Sequence, residues 1–225
     1  MRPYFKFLSA LAENNHRDWM LANKKWYDET RSEFMEDVDY LIKGLGEFLP
    51  GMDSFKAKDC VFRINRDVRF SANKDPYKTN FSAYFSPKGK KSVGPGFYLS
   101  IKPGQSMLGG GIWMPEADTL KKIRREIDYS GDRLKEIEEH PDFKNTFGQI
   151  DGERLKTSPR DYDQDHPHID YLRLKSFTAF AALQDAQVNS GAYLNIALDS
   201  FRKMMPFNEF LEQAIEDVED GSGIL

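Results

Sequence analysis

The sequence contains a single cysteine, Cys60, in 225 residues. An internal disulfide and a four-thiolate zinc centre are therefore excluded. No stretch approaches the roughly 20 consecutive apolar residues of a membrane-spanning helix. The N-terminus carries charge, but Glu13, Asn14 and Asn15 arrive too soon for the apolar run of a secretory signal. With one unpaired thiol, a reducing cytoplasm is the expected location. Also absent are a Gly-x-Ser-x-Gly nucleophile elbow, a dinucleotide-binding fingerprint and the Gly-Lys-Ser/Thr ending of a phosphate loop. There is no internal repeat, no low-complexity tract and no convincing linker, so one domain is expected over residues 1–225.

Aromatic side chains, by contrast, are plentiful, with seventeen Phe and ten Tyr. Each ring buries a large area, so the core can be substantial. Tyr27, Thr30, Phe34, Val38, Leu41, Leu45 and Phe48 recur at three- and four-residue steps, the spacing of one helix face. Pro50-Gly51 stops that helix. A shorter helix holding Phe5, Leu8 and Leu11 precedes it, with a break near Asn14-Asn15. The period then changes to two. Cys60, Phe62 and Ile64 alternate with Val61, Arg63 and Asn65, which predicts a strand over 60–65, bent at Asn65-Arg66-Asp67. Further strands are expected at Phe81–Ser86, Phe97–Lys102 and Met107–Trp113, with turns at Lys88-Gly89-Lys90 and Pro103-Gly104-Gln105. Helices return after Pro115, with Ala117, Leu120, Ile123 and Ile127 on one face and a short helix at Leu134–Glu139. A polar loop fills 148–170, and Leu174–Ala181 reads as a fifth strand. A last helix carries the stripe Phe207, Phe210, Leu211, Ala214, Ile215 and Val218, closed by Gly221. The order predicts an α+β fold, an antiparallel β-meander sheet with N- and C-terminal helices packed on it.

Net charge is −4, which argues against a general nucleic-acid coat. Its distribution is uneven. Residues 56–91 hold ten lysines and arginines against three acids, so the rest of the chain is acidic. Within that segment Arg63, Arg66, Arg69, Lys74 and Lys78 are spaced to present guanidinium and ammonium groups to carboxylate or phosphate. Strand parity sets Arg66 on the apolar face, where a lone charge is costly. It needs a protein carboxylate, a bend that frees it, or a bound anion. Structural ion pairing, a ligand-anion site and a nucleic-acid surface are the three readings of the cluster.

Three other stretches attract attention. Gly109-Gly110-Gly111 before Trp113 weakens a strand by about 0.5–1 kcal/mol per glycine, so it needs a reason. Either a bulge or ring packs there, or backbone closely approaches a ligand or another strand. Asp165-His166-Pro167-His168 offers metal-type donors, but His16 and His140 sit in unrelated helical contexts, so capping and loop hydrogen bonding are favoured and no metal is expected. Lys175 shares parity with Phe177 and Ala179, so a strand would point it inward or at a cleft, paired or functional. Cys60 alternates with core residues and reads as inert packing. Asn14-Asn15-His16-Arg17-Asp18-Trp19 reads as a helix cap.

Asn14-Asn15 leading to Trp19, Asp59-Cys60 through Arg63, Arg66-Asp67-x-Arg69-Phe70-Ser71, and Lys74-x-Pro76-Tyr77-Lys78 together resemble the bacterial domain-of-unknown-function family 2461. Gly109-Gly110-Gly111-x-Trp113-x-Pro115, Asp165-His166-Pro167 and Leu174-Lys175-Ser176-Phe177 fit the same family, so the resemblance runs in order through residues 4–215. It implies a single-domain cytoplasmic protein and one shared site, not a particular reaction. His168 lies outside the family pattern.

The expected function is therefore a binding or enzymatic site for a small anionic, phosphorylated ligand. Arg63, Arg66, Arg69, Lys74 and Lys78 would hold the anion, Tyr77 and Trp113 would stack or hydrogen-bond, and Gly110 and Gly111 would admit it to the backbone. Asp67, His166 and Lys175 are the candidate catalytic groups. No cofactor and no membrane partner is expected. The alternative is an interaction protein that docks an acidic protein or, less favoured, nucleic acid.

Overall fold

The computed structural model describes residues 1–216. Val218 and Gly221, expected to complete and close the last helix, lie outside the described residues. The helices are α1 (Pro3–Glu13), α2 (Arg17–Ala22), α3 (Lys24–Gly46), α4 (Ala57–Cys60), α5 (Ala117–Glu139), α6 (Pro141–Phe147), α7 (Ile169–Leu172), α8 (Asp185–Ser190) and α9 (Tyr193–Ile215). The strands are β1 (Phe81–Phe85), β2 (Gly96–Ile101), β3 (Ser106–Ile112) and β4 (Phe177–Leu183), in one sheet of order β1-β2-β3-β4. The fold is α+β, an antiparallel sheet with helices packed on it. No described helix is long and apolar enough to cross a membrane.

The described chain forms two compact units. The first comprises Met1–Ser92, Gly96–Gly110 and Phe180–Lys203; the second comprises Val93–Pro95, Gly111–Ala179 and the chain from Met204. In the first unit, β1 pairs with β2 so that Phe81 faces Ile101 and Phe85 faces Phe97. Phe81, Ala83, Phe85, Phe97, Leu99 and Ile101 share the core face and are all buried. Alternation along a strand produces this face, and the helices cover it. Phe7 of α1 and Phe34 of α3 stack on Phe81 at 6.3 and 5.4 Å, while Phe201 of α9 lies 6.0 Å from Phe85 and 4.8 Å from Phe97. The sequence stripe on α3 is this contact seen along the chain. Asp37 interrupts it, buried, and its Oδ2 accepts from the Tyr193 hydroxyl at 2.7 Å. The Tyr4 hydroxyl sits 3.0 Å from the same oxygen. A carboxylate survives in this core because both phenols and Arg2, 3.6 Å from its other oxygen, surround it.

In the second unit, α5 is interrupted at Ser130 (φ −123°, ψ 26°), which separates the two helical stretches that the apolar spacing predicts. Phe143 packs against Phe147 at 5.1 Å and Phe207 at 5.7 Å. Arg124 Nε and Nη2 donate to the carbonyls of Leu172 and Leu174. These bonds tie the segment that leads into β4 to α5.

One predicted strand is absent. Residues 57–60 form α4, and 61–65 make only single bridges, Val61 to Ala83 and Asn65 to Tyr77. The chain turns back on itself instead of extending: Lys78 N–H donates to Ile64 and Arg66 N–H to Pro76. Asn73, Pro76 and the Asn65-Arg66-Asp67 bend favour that return over a ladder. Cys60 is buried as expected, and burial pushes its thiol up to about 11, the behaviour of an unreactive core residue.

Candidate functional site: a cationic and aromatic patch beside the sheet

The return of the chain at Asn65–Tyr77 creates a loop over 66–76, and that loop sorts the predicted cations into two groups. Arg66 is not on an apolar strand face. The bend frees it, and its guanidinium donates to the Asp75 carbonyl at 3.0 Å and to Ser71 Oγ at 3.2 Å. Arg69 makes a two-pronged ion pair with Asp67, at 3.0 and 2.6 Å. That pairing holds the Asp67 carboxyl below its ordinary range. Lys74 Nζ donates to the Val68 carbonyl at 3.0 Å. These three cations hold the loop together, Arg69 through an ion pair and Arg66 and Lys74 through neutral acceptors. Asp67, a candidate base, is bound up in the same way.

Arg63 and Lys78 behave differently. Among the described residues neither makes an ion pair or a hydrogen bond to a side chain. Lys78 is half-buried and its Nζ lies 5.3 Å from the centre of the Phe62 ring. Desolvation first, and the nearby Arg63 charge second, hold its ammonium below the ordinary lysine value. Lys90, which follows the Lys88-Gly89 turn, reaches the same ring at 5.7 Å while donating to the Val61 carbonyl at 2.8 Å. Two cations thus converge on Phe62, and Arg63 lies close enough to Lys78 for its charge to be felt there. Ring faces attract cations electrostatically, which offsets part of their mutual repulsion.

The loop is positioned by a contact that capping logic misses. Asn15 Nδ2 donates to the Tyr77 carbonyl at 3.0 Å, and its Oδ1 accepts from Tyr77 N–H at 3.1 Å. The side-chain amide therefore pairs with Tyr77 as a neighbouring strand would. It fixes Tyr77 and, next to it, Lys78 against the α1–α2 turn.

Beyond Phe62 the aromatic patch continues across the sheet. Phe62 N–H donates to Ser82, which sets it beside β1. Its ring lies 6.4 Å from Tyr98 of β2, and Tyr98 lies edge-on to Phe180 of β4 at 6.3 Å. Tyr98 alternates with buried Phe97 and Leu99, so it stands on the face opposite the helices. None of these three rings is an obvious binding residue in the sequence. The available signal is an aromatic at the solvent-side position of a period-two pattern.

Of the remaining predicted residues, Gly110 falls in the first unit and the others in the second. Gly111 has φ +105°, and a Cβ there would sit 2.1 Å from the Phe177 carbonyl oxygen, so its reason is the close approach of β4. Gly110 has the parity of core residues Leu108 and Ile112. Trp113 is 74% exposed. Lys175 does not point inward from a strand, because β4 begins only at Phe177. Its Nζ pairs with Glu153 Oε1 at 2.5 Å on a partly exposed surface. His166 accepts the His168 N–H at Nδ1, 3.1 Å, and its Nε2 lies 3.0 Å from Asp128 Oδ1. Both ring nitrogens are thus engaged within the chain. His168 packs on Gly131, where a Cβ would meet its ring at 2.3 Å. Among the described residues, no group of three or more His, Cys, Asp or Glu side chains is arranged to hold a metal ion.

Comparison with curated proteins and with solved structures gave no match. The stretches that carry the loop, the glycine triplet and the His166 turn nonetheless fall in one family pattern. The family model described as conserved hypothetical protein (DUF2461) matches residues 3–210, and the chain belongs to that family.

Proposed function

We propose that the first unit binds a small anionic, phosphorylated ligand at Arg63, Lys78 and Lys90. One observation supports this above the rest: Lys78 is a half-buried ammonium beside a second cation, with no carboxylate partner among the described residues. A structural lysine in such a place is ordinarily paired, since desolvating an uncompensated charge is costly. A bound anion would supply the missing charge. Arg66, Arg69 and Lys74 are assigned to holding the loop, and Asn15 to positioning Lys78. A cytoplasmic location, suggested by the single unbridged cysteine, is part of the proposal.

A second reading is docking of an acidic protein partner, favoured by Phe70. It is 97% exposed, with the Arg69 guanidinium 5.9 Å from its ring. Isothermal titration with inorganic pyrophosphate at fixed ionic strength separates the two. Wild type is expected to bind. Lys78→Met and Arg63→Ala are each expected to lose at least tenfold in affinity, a charge-assisted contact being worth about 1.5–3 kcal/mol. Phe70→Ala is expected to bind as wild type does. No heat of binding in wild type would remove the anion-site reading and leave the docking surface.

A further inference from the structure

We infer, building on the anion-site reading above, that the ligand is a nucleotide, with its phosphate at the Phe62 end of the patch and its base on Tyr98 and Phe180. Neighbouring strands lie about 4.8 Å apart, so β2 and β4, with β3 between them, are separated by about 10 Å. Yet the rings of Tyr98 and Phe180 meet at 6.3 Å. They close that gap only by leaning over β3, and they can do so only where β3 has no side chain.

Gly109 supplies the opening. Gln105 N–H donates to Lys102, closing a tight turn with Pro103 and left-handed Gly104 (φ +72°) at its centre. Counting outward from that turn sets Gly109 opposite Tyr98. On the other side, Gly111 lies against Thr178 of β4, so two residues along an antiparallel pair Gly109 faces Phe180. Tyr98, Gly109 and Phe180 thus form one row across the sheet, and the glycine lets the outer two rings touch. On β1, Tyr84 stands opposite Tyr98 with its ring over Gly96, while Ser82, opposite Ser100, accepts from Phe62 N–H, so Phe62 reaches Tyr98 on the diagonal.

The result is a run of three rings whose Phe62 end meets the ammonium groups of Lys78 and Lys90. Phe180 is 38% exposed, and Phe62 and Tyr98 are half-buried. A core would have enclosed these rings. Aromatic residues on an open sheet face next to cations are the chemistry that recognises a flat base joined to a phosphate. A sugar phosphate would use the cations and leave the rings idle. An acidic peptide has charge but no obligatory flat face.

Isothermal titration with ribose 5-phosphate and with AMP, at one ionic strength, tests this directly. The two probes carry the same phosphate and differ by the base. AMP is expected to bind at least about fivefold more tightly, the lower end of a base–aromatic stack. Phe180→Leu is expected to erase that difference while leaving ribose 5-phosphate affinity unchanged. Gly109→Val, which drives a side chain between the rings, is expected to do the same, and Phe180→Leu carries the test if Gly109→Val does not fold. Equal affinity of the two probes in wild type would overturn the nucleotide assignment and leave the anion site standing. Failure of both probes to bind would overturn both. An eight-residue oligoadenylate distinguishes a free nucleotide from a strand. Affinity far above AMP with a steep salt dependence means a strand, and affinity near AMP means a free nucleotide; either supports the base-and-phosphate chemistry.

Discussion

Gly111 shows most directly what a single residue contributes to this sheet. Its backbone is left-handed, and the Phe177 carbonyl occupies the space a Cβ would need. Gly111→Ala is therefore expected to destabilise the protein by several kcal/mol, about the size of a strain effect added to a steric one, read as a lowered urea midpoint. A variant within about 0.5 kcal/mol of wild type would show that β3 and β4 are not pressed together there. Neighbouring glycines serve other ends, and the triplet Gly109-Gly110-Gly111 flags the place without saying which glycine does what. Arg66 makes the same point. Period-two spacing puts it on an apolar face, whereas its donors go to Asp75 and Ser71 within a loop. Hydrophobic alternation reports which residues are apolar, and the hydrogen bonds that close a loop lie outside it.

At the scale of elements, the Tyr4, Asp37 and Tyr193 contact joins α1, α3 and α9. Burial, first of all, pushes both phenols well above the ordinary tyrosine value. Groups whose folded values are raised contribute stability that is complete below their unfolded value of 10 and lost as pH rises beyond it. Wild type is therefore expected to lose stability above pH 10. Tyr193→Phe is expected to be less stable by about 1.5–3 kcal/mol near neutrality, because Asp37 loses a donor. It is also expected to show a weaker alkaline loss. Urea denaturation from pH 7 to 11 checks both, and an alkaline slope as steep in the variant as in wild type would contradict the account. The apolar stripe on α3 was legible in the sequence, as were β1, β2, β3 and the break in α5, because burial on one face leaves a period. Asp37 was not, since a buried carboxylate is marked only by partners that lie far away along the chain. Asn15 was read as a cap for the same reason, its partner Tyr77 being 62 residues distant.

Across the whole molecule, charge is segregated. An acidic chain concentrates its cations in residues 56–91, and the fold divides those cations by use. Composition located the basic segment, and the family resemblance placed the loop and the glycines in one pattern. Neither could separate Arg66, Arg69 and Lys74, whose donors are spent within the loop, from Arg63 and Lys78, whose donors are not. Phe62, Lys90, Tyr98 and Phe180 were missed because they come from four separate stretches of chain. Only the strand order brings their rings and charge together.

The measurement that bears most directly on the anion site is the titration of the Lys78 ammonium itself, followed by side-chain NMR with and without inorganic pyrophosphate. In the free protein its midpoint is expected below the ordinary lysine value of 10.5, because burial and Arg63 disfavour the charge. With this lowered value, the group's contribution to stability rises with pH between the folded midpoint and 10.5, since the unfolded chain there holds more protons. Pyrophosphate seated at Arg63 and Lys78 supplies the missing counter-charge. It is expected to move the midpoint upward, and by linkage its own affinity falls as pH rises through that range. A Lys78 midpoint unchanged by saturating pyrophosphate would contradict the account.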